Sequence, residues 1–536
     1  MMFSRVFPRA ILGVIAILIG LSVSSSATVY YVDSAAGNDN QSGTSSSAPW
    51  KTLAKVSSHS YSAGDQILLK NGSTWREQLN VPSSGASGKP IVFGTYGSGS
   101  PALINAADVV GNWSSFSGYI YRADISWSPS NVWYNGTFLT KASSLGSLTS
   151  SQKWFYSSGT LYIWAPANAN PNGHTVEADH RSRAINIASR SYITINGISM
   201  KNSTSSLVAV WNGSHITVEN SALKNAWMGV YASASSPYLL VDHCTMTVDS
   251  GYVGRDFVFV SSTTADDPIV SNNVVGNISG FVAIMFNDVD NAQAYGNTIT
   301  GSGSGIETAA TTRSVSGALI HDNAIFDSDH RFQDGESIKI RGTPPYTASA
   351  SVYRNYIQGG PYTWDGVGGW YAVNSKVYAN IVMGSTQYGI QFTLDSLNNE
   401  FTNNTLYKNT IAGIALYTNG SAQVKNNIIQ LSSVGISADS GVSVTEDYNI
   451  INQVPTLRSV QIHAGSHDTT ENPAFVTSTP KASNDFKLGS SSPAIKSGSN
   501  LGSPYNMILD PDGTVFPYPD LDQDSYGWER GAFAYR

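Results

Sequence analysis

Cysteine is almost missing from this chain: Cys244 is the only one in 536 residues. A single thiol closes no intrachain disulfide and builds no cysteine-rich metal site, so packing must hold the fold together. Charge is scarce as well, with 12% of residues charged and a formal net charge of −7. An acidic balance of that kind argues against a nucleic-acid partner, which requires a basic surface. Only one apolar run stands out, Ala10–Leu21, and its twelve residues are too few to span a bilayer. Long amphipathic helical patterns are lacking too, as are phosphate-loop, Ser–His–Asp and zinc-ligand spacings.

The apolar run follows Arg5 and Arg9 and precedes the small residues Ser25 and Ala27, the pattern of a bacterial export signal. Residues 1–27 are therefore expected to be removed, leaving a secreted or periplasmic protein of net charge −9 with no membrane segment. The mature protein is expected to be a monomer.

What is abundant is Gly, with 49 residues, and Tyr, with 28, set among short alternating apolar strands. From residue 184 one unit recurs: a strand, a turn, a second strand, then Asn before an apolar pair. Its markers are Asn196, Asn220, His243, Asn273, Asn297, Asn323, Asn355, Asn380, Asn404 and Asn427. Most intervals lie near 24 residues, which is the signature of a solenoid. With strands and no helix in each unit, the prediction is all-β: a parallel β-helix of nine to ten coils over 184–453. In it Ile and Val columns fill the core, and the asparagines form a ladder in left-handed turns. Residues 28–105 read as an N-terminal cap with the first strands. Residues 106–183 read as a β-rich insertion, and 454–536 as a cap over the last coil.

Two stretches carry the resemblance to a family. YYVDSAAGNDNQSGTSSSAPWKTLAKV with GDQILLKNGSTWRE opens the chain, and DFKLGSSSPAIKSGS with GWERGAFAY closes it. Both are similar to secreted bacterial right-handed parallel β-helix proteins of the pectate-lyase-like superfamily. That superfamily holds lyases, hydrolases, epimerases and non-enzymes, so the resemblance implies the fold and leaves the reaction open.

Two intervals exceed the coil length, and extra residues in a solenoid become loops that wall a groove. The second contains DGESIKIRG, Asp334–Gly342, with four charges in nine residues. Strand alternation puts Glu307 and Lys339 on one exposed face of neighbouring coils. Arg341 joins them, Gln391 lies two coils on, and His330, Asp334 and Glu336 stand at the entering loop. These six charged residues are the predicted catalytic set. Arg313, Arg331, Trp364, Trp370, Tyr371 and Gln391 are the predicted substrate contacts.

The resemblance to pectate, alginate and chondroitin lyases implies β-elimination on a uronate polysaccharide. Arg341, or Ca²⁺ held by Asp334, Glu336 and Glu307, would neutralise the C5 carboxylate, and Lys339 would act as base. DGESIK resembles a DG-x-x-x-K string of some pectate lyases. The double-aspartate Ca²⁺ motif expected a coil later is replaced by TWDGVGGW, with Asp365 alone. The alternative is a glycoside hydrolase using paired carboxyls, Glu307 with Asp334 or Glu336, with Asp256 and Asp288 on neighbouring coils. A third reading is a non-catalytic polysaccharide binder with Trp364, Trp370, Tyr371 and Tyr388 as sugar platforms.

Overall fold

The computed structural model describes residues 27–261, 266–278, 280–329, 331, 335–502, 505, 507–509, 515–517 and 528–533. The export segment, His330 and Asp334 lie outside that set. Short strands alternate with tight turns, and each strand pairs in parallel with its equivalent one coil on. The result is three stacked sheets of 13, 14 and 13 strands. In each coil a strand of sheet 1 (Ser206–Trp211, for example) leads to sheet 2 (Ile216–Glu219) and then sheet 3 (Ala222–Lys224).

Stacking identical positions buries columns of branched side chains. Ile306, Ile338, Val367, Ile390, Ile414 and Ile436 pair in unbroken register and are fully buried. Each buried side chain of this size contributes roughly 1.5–3 kcal/mol.

The asparagine ladder forms, with a correction. From Asn273 through Asn297, Asn323, Asn355, Asn380, Asn404 and Asn427, each side-chain amide donates to the next carboxamide oxygen at 2.9–3.0 Å, and the ladder continues to Asn449. Asn196, Asn220 and His243 are not members. Their coils put Ile198, Ser221 and Cys244 at the rung, and the Cys244 N–H donates to Asn273. The left-handed turn is made by the residue before each rung, such as Asn220 (φ 51°), His243 (φ 49°) or Asn272 (φ 56°). The two adjacent asparagines in NN pairs thus do different jobs.

After residue 183, sheets 2 and 3 each contain eleven strands, one coil more than the upper expectation. The solenoid also begins earlier than predicted: Val29–Val32, Gln66–Lys70 and Ile91–Tyr96 already belong to sheet 2. A short helix, Leu53–Ser58, capped by Thr52, covers the first coil with Leu53 and Val56. An eight-stranded, mainly antiparallel sheet leaves the solenoid after Leu103–Asn105 and returns at Arg183–Ala188 with its own core around Trp154. Past the last coil, Ile462 joins the main core. The chain then runs back along the side, where Phe486, Ala532 and Phe533 pack on Ile381 and Tyr407.

The departures from the repeat share one corner. The eight-stranded sheet and the segments 248–255 and 327–337 all lie between a sheet 3 strand and the following sheet 1 strand. They wall one side of the outer face of sheet 1.

Candidate active site

Five strands of sheet 1 build the site: Asp256–Ser261, Val282–Asn287, Ser304–Ala310, Ile338–Gly342 and Asp365–Trp370. Along their outer face runs the column Phe259, Met285, Glu307, Lys339, Gly368 and Gln391. The predicted register therefore holds: Glu307 pairs with Lys339, and Gln391 lies two coils beyond. The predicted exposure does not. Glu307 is 1% and Lys339 0% exposed. Strand parity tells which face a residue takes and is silent about what lies over that face. Here Trp370 covers the lysine, its ring centroid 3.6 Å from Nζ. The segment after residue 326 crosses the rim beside it, where the Asp329 N–H donates to the carbonyls of Ser302 and Gly303.

Each cation of the face meets an acid. Arg341 donates through Nε to Glu307 at 2.6 Å, Lys339 Nζ lies 3.6 Å from Glu336 Oε1, and Arg255 Nε lies 3.3 Å from Asp256. Glu336 is not merely at the loop edge; it lies over the strand, and a Cβ on Gly368 would come within 2.7 Å of its Cγ. Gly368 is the vacancy that seats it.

Two more buried acids, Asp365 and Asp256, lie on this face. Simple alternation sends both inward, because they share parity with the core residues Val367 and Val258. The second residue of these strands breaks the alternation by also facing inward. At Gly366 a Cβ would lie 2.2 Å from Val382. That extra inward step turns the preceding residue outward, so Asp365 stands beside Glu336 one coil away, ~4.8 Å along the axis. Repeated Gly before Val or Ile, as in DGVGG, GIQF and GIAL, was the available sequence signal.

The acids differ in protonation. Burial holds the Asp365 carboxyl well above the ordinary range, with the Glu336 charge adding and Lys339 opposing. Burial pushes Asp256 up to about 7, with Arg255 opposing and Glu307 adding. The sign of the resulting stability effect is fixed. A carboxyl raised in the folded state favours folding below pH 4 and loses that contribution as pH rises through about 7. Asp256→Asn is accordingly expected to melt like the parent at pH 4. At pH 8 it should be more stable, by up to about 4 kcal/mol for a shift of roughly three units. Urea denaturation at the two pH values checks this.

The other predicted contacts divide. Trp364 stands on the rim, and Trp370 and Gln391 are on the face. Tyr371 sits in the turn beyond the strand. Arg313 does not reach the site; it clamps the opposite corner through Asp266 and Asp290. Asp288 is likewise structural, accepting from Thr311 and Thr312. Arg331 pairs with Asp329 at 2.6 Å and stacks 3.5 Å above the Tyr362 ring. The proposed Ca²⁺ set does not fit either. Glu307 and Glu336 are turned to Arg341 and Lys339, and among the described residues no three ligating side chains converge.

A family model described as a right handed beta helix region matches residues 282–453. Over 111 residues the chain is 35% identical to a lacto-N-biosidase of Bifidobacterium longum subsp. longum. That match takes in 19% of this chain and 7% of the relative, so this chain spans under a tenth of it. Among solved structures, XylC in complex with xylose superposes with a TM-score of 0.55 at 12% identity, over 95% of this chain and 98% of that one. A glycoside hydrolase superposes at 0.51 with 11% identity, over 79% and 97%. At such identities the likeness is one of fold.

Proposed function

This chain is a right-handed β-helix protein of the pectate-lyase-like superfamily, and we propose that it is a glycoside hydrolase acting on a neutral glycan. The observation that carries the reading is the pairing within the face. Arg341, Lys339 and Arg255 are each held by a carboxylate, while a fourth acid, Asp365, is kept protonated beside Glu336.

β-Elimination needs a cation to neutralise the uronate and a neutral base. Arg341 is committed to Glu307 and Lys339 is set against two acids, which opposes both roles. Hydrolysis needs a protonated carboxyl and an ionised one on either side of the glycosidic bond. Asp365 is the general acid in this reading. Glu336, opposite Lys339, is the ionised partner that attacks the anomeric carbon. Asp365 protonates the departing oxygen, and once deprotonated it takes a proton from the water that releases the sugar. The one-coil spacing suits this double displacement, whose carboxyls lie about 5–5.5 Å apart, so the anomeric configuration of the product is expected to be retained.

The similarity to a lacto-N-biosidase segment and to a glycoside hydrolase fold supports a carbohydrate substrate. The apolar run Ala10–Leu21 supports export, which brings the enzyme to extracellular glycans.

The test is incubation of the protein with neutral glycans, pectate, alginate and glycosaminoglycan, following reducing ends and absorbance near 235 nm. New reducing ends on a neutral glycan, with flat absorbance, are expected. A rise in absorbance on a uronate polymer would restore the lyase.

A further inference from the structure

The acids occupy the middle of sheet 1, and the face continues past them toward the N-terminus with no charged partner to explain it. There the floor is aromatic. Tyr231 and Phe259 stand on successive coils of the Glu307 column, their rings stacked at 5.7 Å and 14°. The wall is aromatic too. The position that enters each sheet 1 strand is linked coil to coil by backbone hydrogen bonds from Trp227 to Arg255 to Phe281. Trp227 and Phe281 are both 39% exposed. Arg255 lies between them, with its guanidinium 4.7 Å from the Phe259 ring and 5.4 Å from that of Phe281. On the other side of the acids the same wall position is Trp364, 37% exposed.

Single exposed rings need no explanation. Rings at equivalent positions of a solenoid are different, because the repeat spaces them. One coil step is ~4.8 Å, so Trp227 and Phe281 stand about 10 Å apart, and Trp227 and Trp364, five steps apart, about 24 Å. A coil step is close to the length of one sugar unit in an extended chain.

We propose that the groove over Trp227, Tyr231, Phe259 and Phe281 is a set of sugar subsites leading to the acids. Its occupant is an extended neutral glycan running along the solenoid axis. The CH faces of successive sugars stack on floor and wall, and Arg255, already paired with Asp256, offers hydrogen bonds to hydroxyls. The substrate is then a chain of several sugars cleaved near its middle. This rests on the hydrolase reading for the position of the cut, and on the aromatic geometry alone for binding.

The experiment uses the full protein, neutral β-linked oligosaccharides of two to six units (xylose, glucose, mannose and N-acetyllactosamine series) and a hexagalacturonide. Binding is followed by calorimetry and cleavage by kcat/KM. In the parent, affinity for a neutral series should climb with chain length. Trp227→Ala and Phe281→Ala, both exposed and outside the acid cluster, should each lose on the order of tenfold in affinity for the longest members. The shortest substrate should be cleaved as before.

Length-dependent binding without cleavage would sustain the groove and defeat the hydrolase. Cleavage with no length dependence, or with variants equal to the parent at every length, would defeat the groove and spare the hydrolase. Preference for the hexagalacturonide would overturn the neutral occupant. If Trp227→Ala melts early, Phe281→Ala and Tyr231→Phe, which keeps the ring and should keep affinity, carry the test.

Discussion

Asp365→Asn is expected to lower kcat by on the order of 10³-fold on natural glycans while leaving the protein folded. The substitution replaces a buried carboxyl, held protonated, by an amide of nearly the same shape. It keeps the acceptor for the Tyr388 N–H, which lies 3.3 Å from the Asp365 oxygen. Stability is therefore expected to be unchanged in acid. Toward alkaline pH the variant should become the more stable form, because the parent must then ionise a buried group and the amide cannot.

The proton is what it lacks. An aryl glycoside with a strongly acidic phenol as leaving group needs no protonation, so on that substrate Asp365→Asn should retain most of the first step. Glu336→Gln should be inactive on both kinds of substrate, since it removes the nucleophile. In the parent, activity should fall on the alkaline side as Asp365 loses its proton, at a pH above the ordinary aspartate range. Equal losses for Asp365→Asn on activated and natural substrates would remove the general-acid assignment.

The second large effect concerns stability. Asn355→Ala is expected to cost about 3–5 kcal/mol, among the larger single-site losses seen in proteins. The Asn355 carboxamide oxygen accepts both the backbone N–H (3.1 Å) and the side-chain amide (3.0 Å) of Asn323. Its own amide donates to Asn380 at 2.9 Å and to the carbonyl of Ile320 at 2.9 Å. Alanine leaves donors and acceptors of three coils unsatisfied in a site without water, at roughly 1–3 kcal/mol each. Since a solenoid couples nearest neighbours, the damage should start locally. Limited proteolysis is expected to cut near residues 320–360 before the rest of the chain, and urea midpoints should fall. Asn196→Ala, outside the ladder, is the control and should cost under about 1 kcal/mol. Matching losses for the two would mean the ladder contributes no more than any turn asparagine.

These two cases also mark how much the sequence carries. A period of about 24 residues with alternating strands determines the solenoid, because a stacked repeat has one way to bury its branched side chains: identical positions over one another. The same alternation determined that Glu307, Lys339, Arg341 and Gln391 share a face, and the long intervals marked where loops would wall it. Local period-2 reasoning then stops working. It put Asn196, Asn220 and His243 on the ladder, because the left-handed residue and the rung are adjacent and the pattern does not distinguish them. It also gave no reason to place Asp365 and Asp256 on the face, since the extra inward residue at each strand start is visible only once neighbouring coils exclude a Cβ at Gly366.

Only the tertiary structure decided the chemistry. Whether Arg341 is available to an anion, whether Asp365 keeps its proton and whether Lys339 sees solvent all depend on partners 34, 29 and 31 residues away along the chain, at Glu307, Glu336 and Trp370. Electrostatics in a low-dielectric face is set by distances between coils, and a one-dimensional pattern does not contain them.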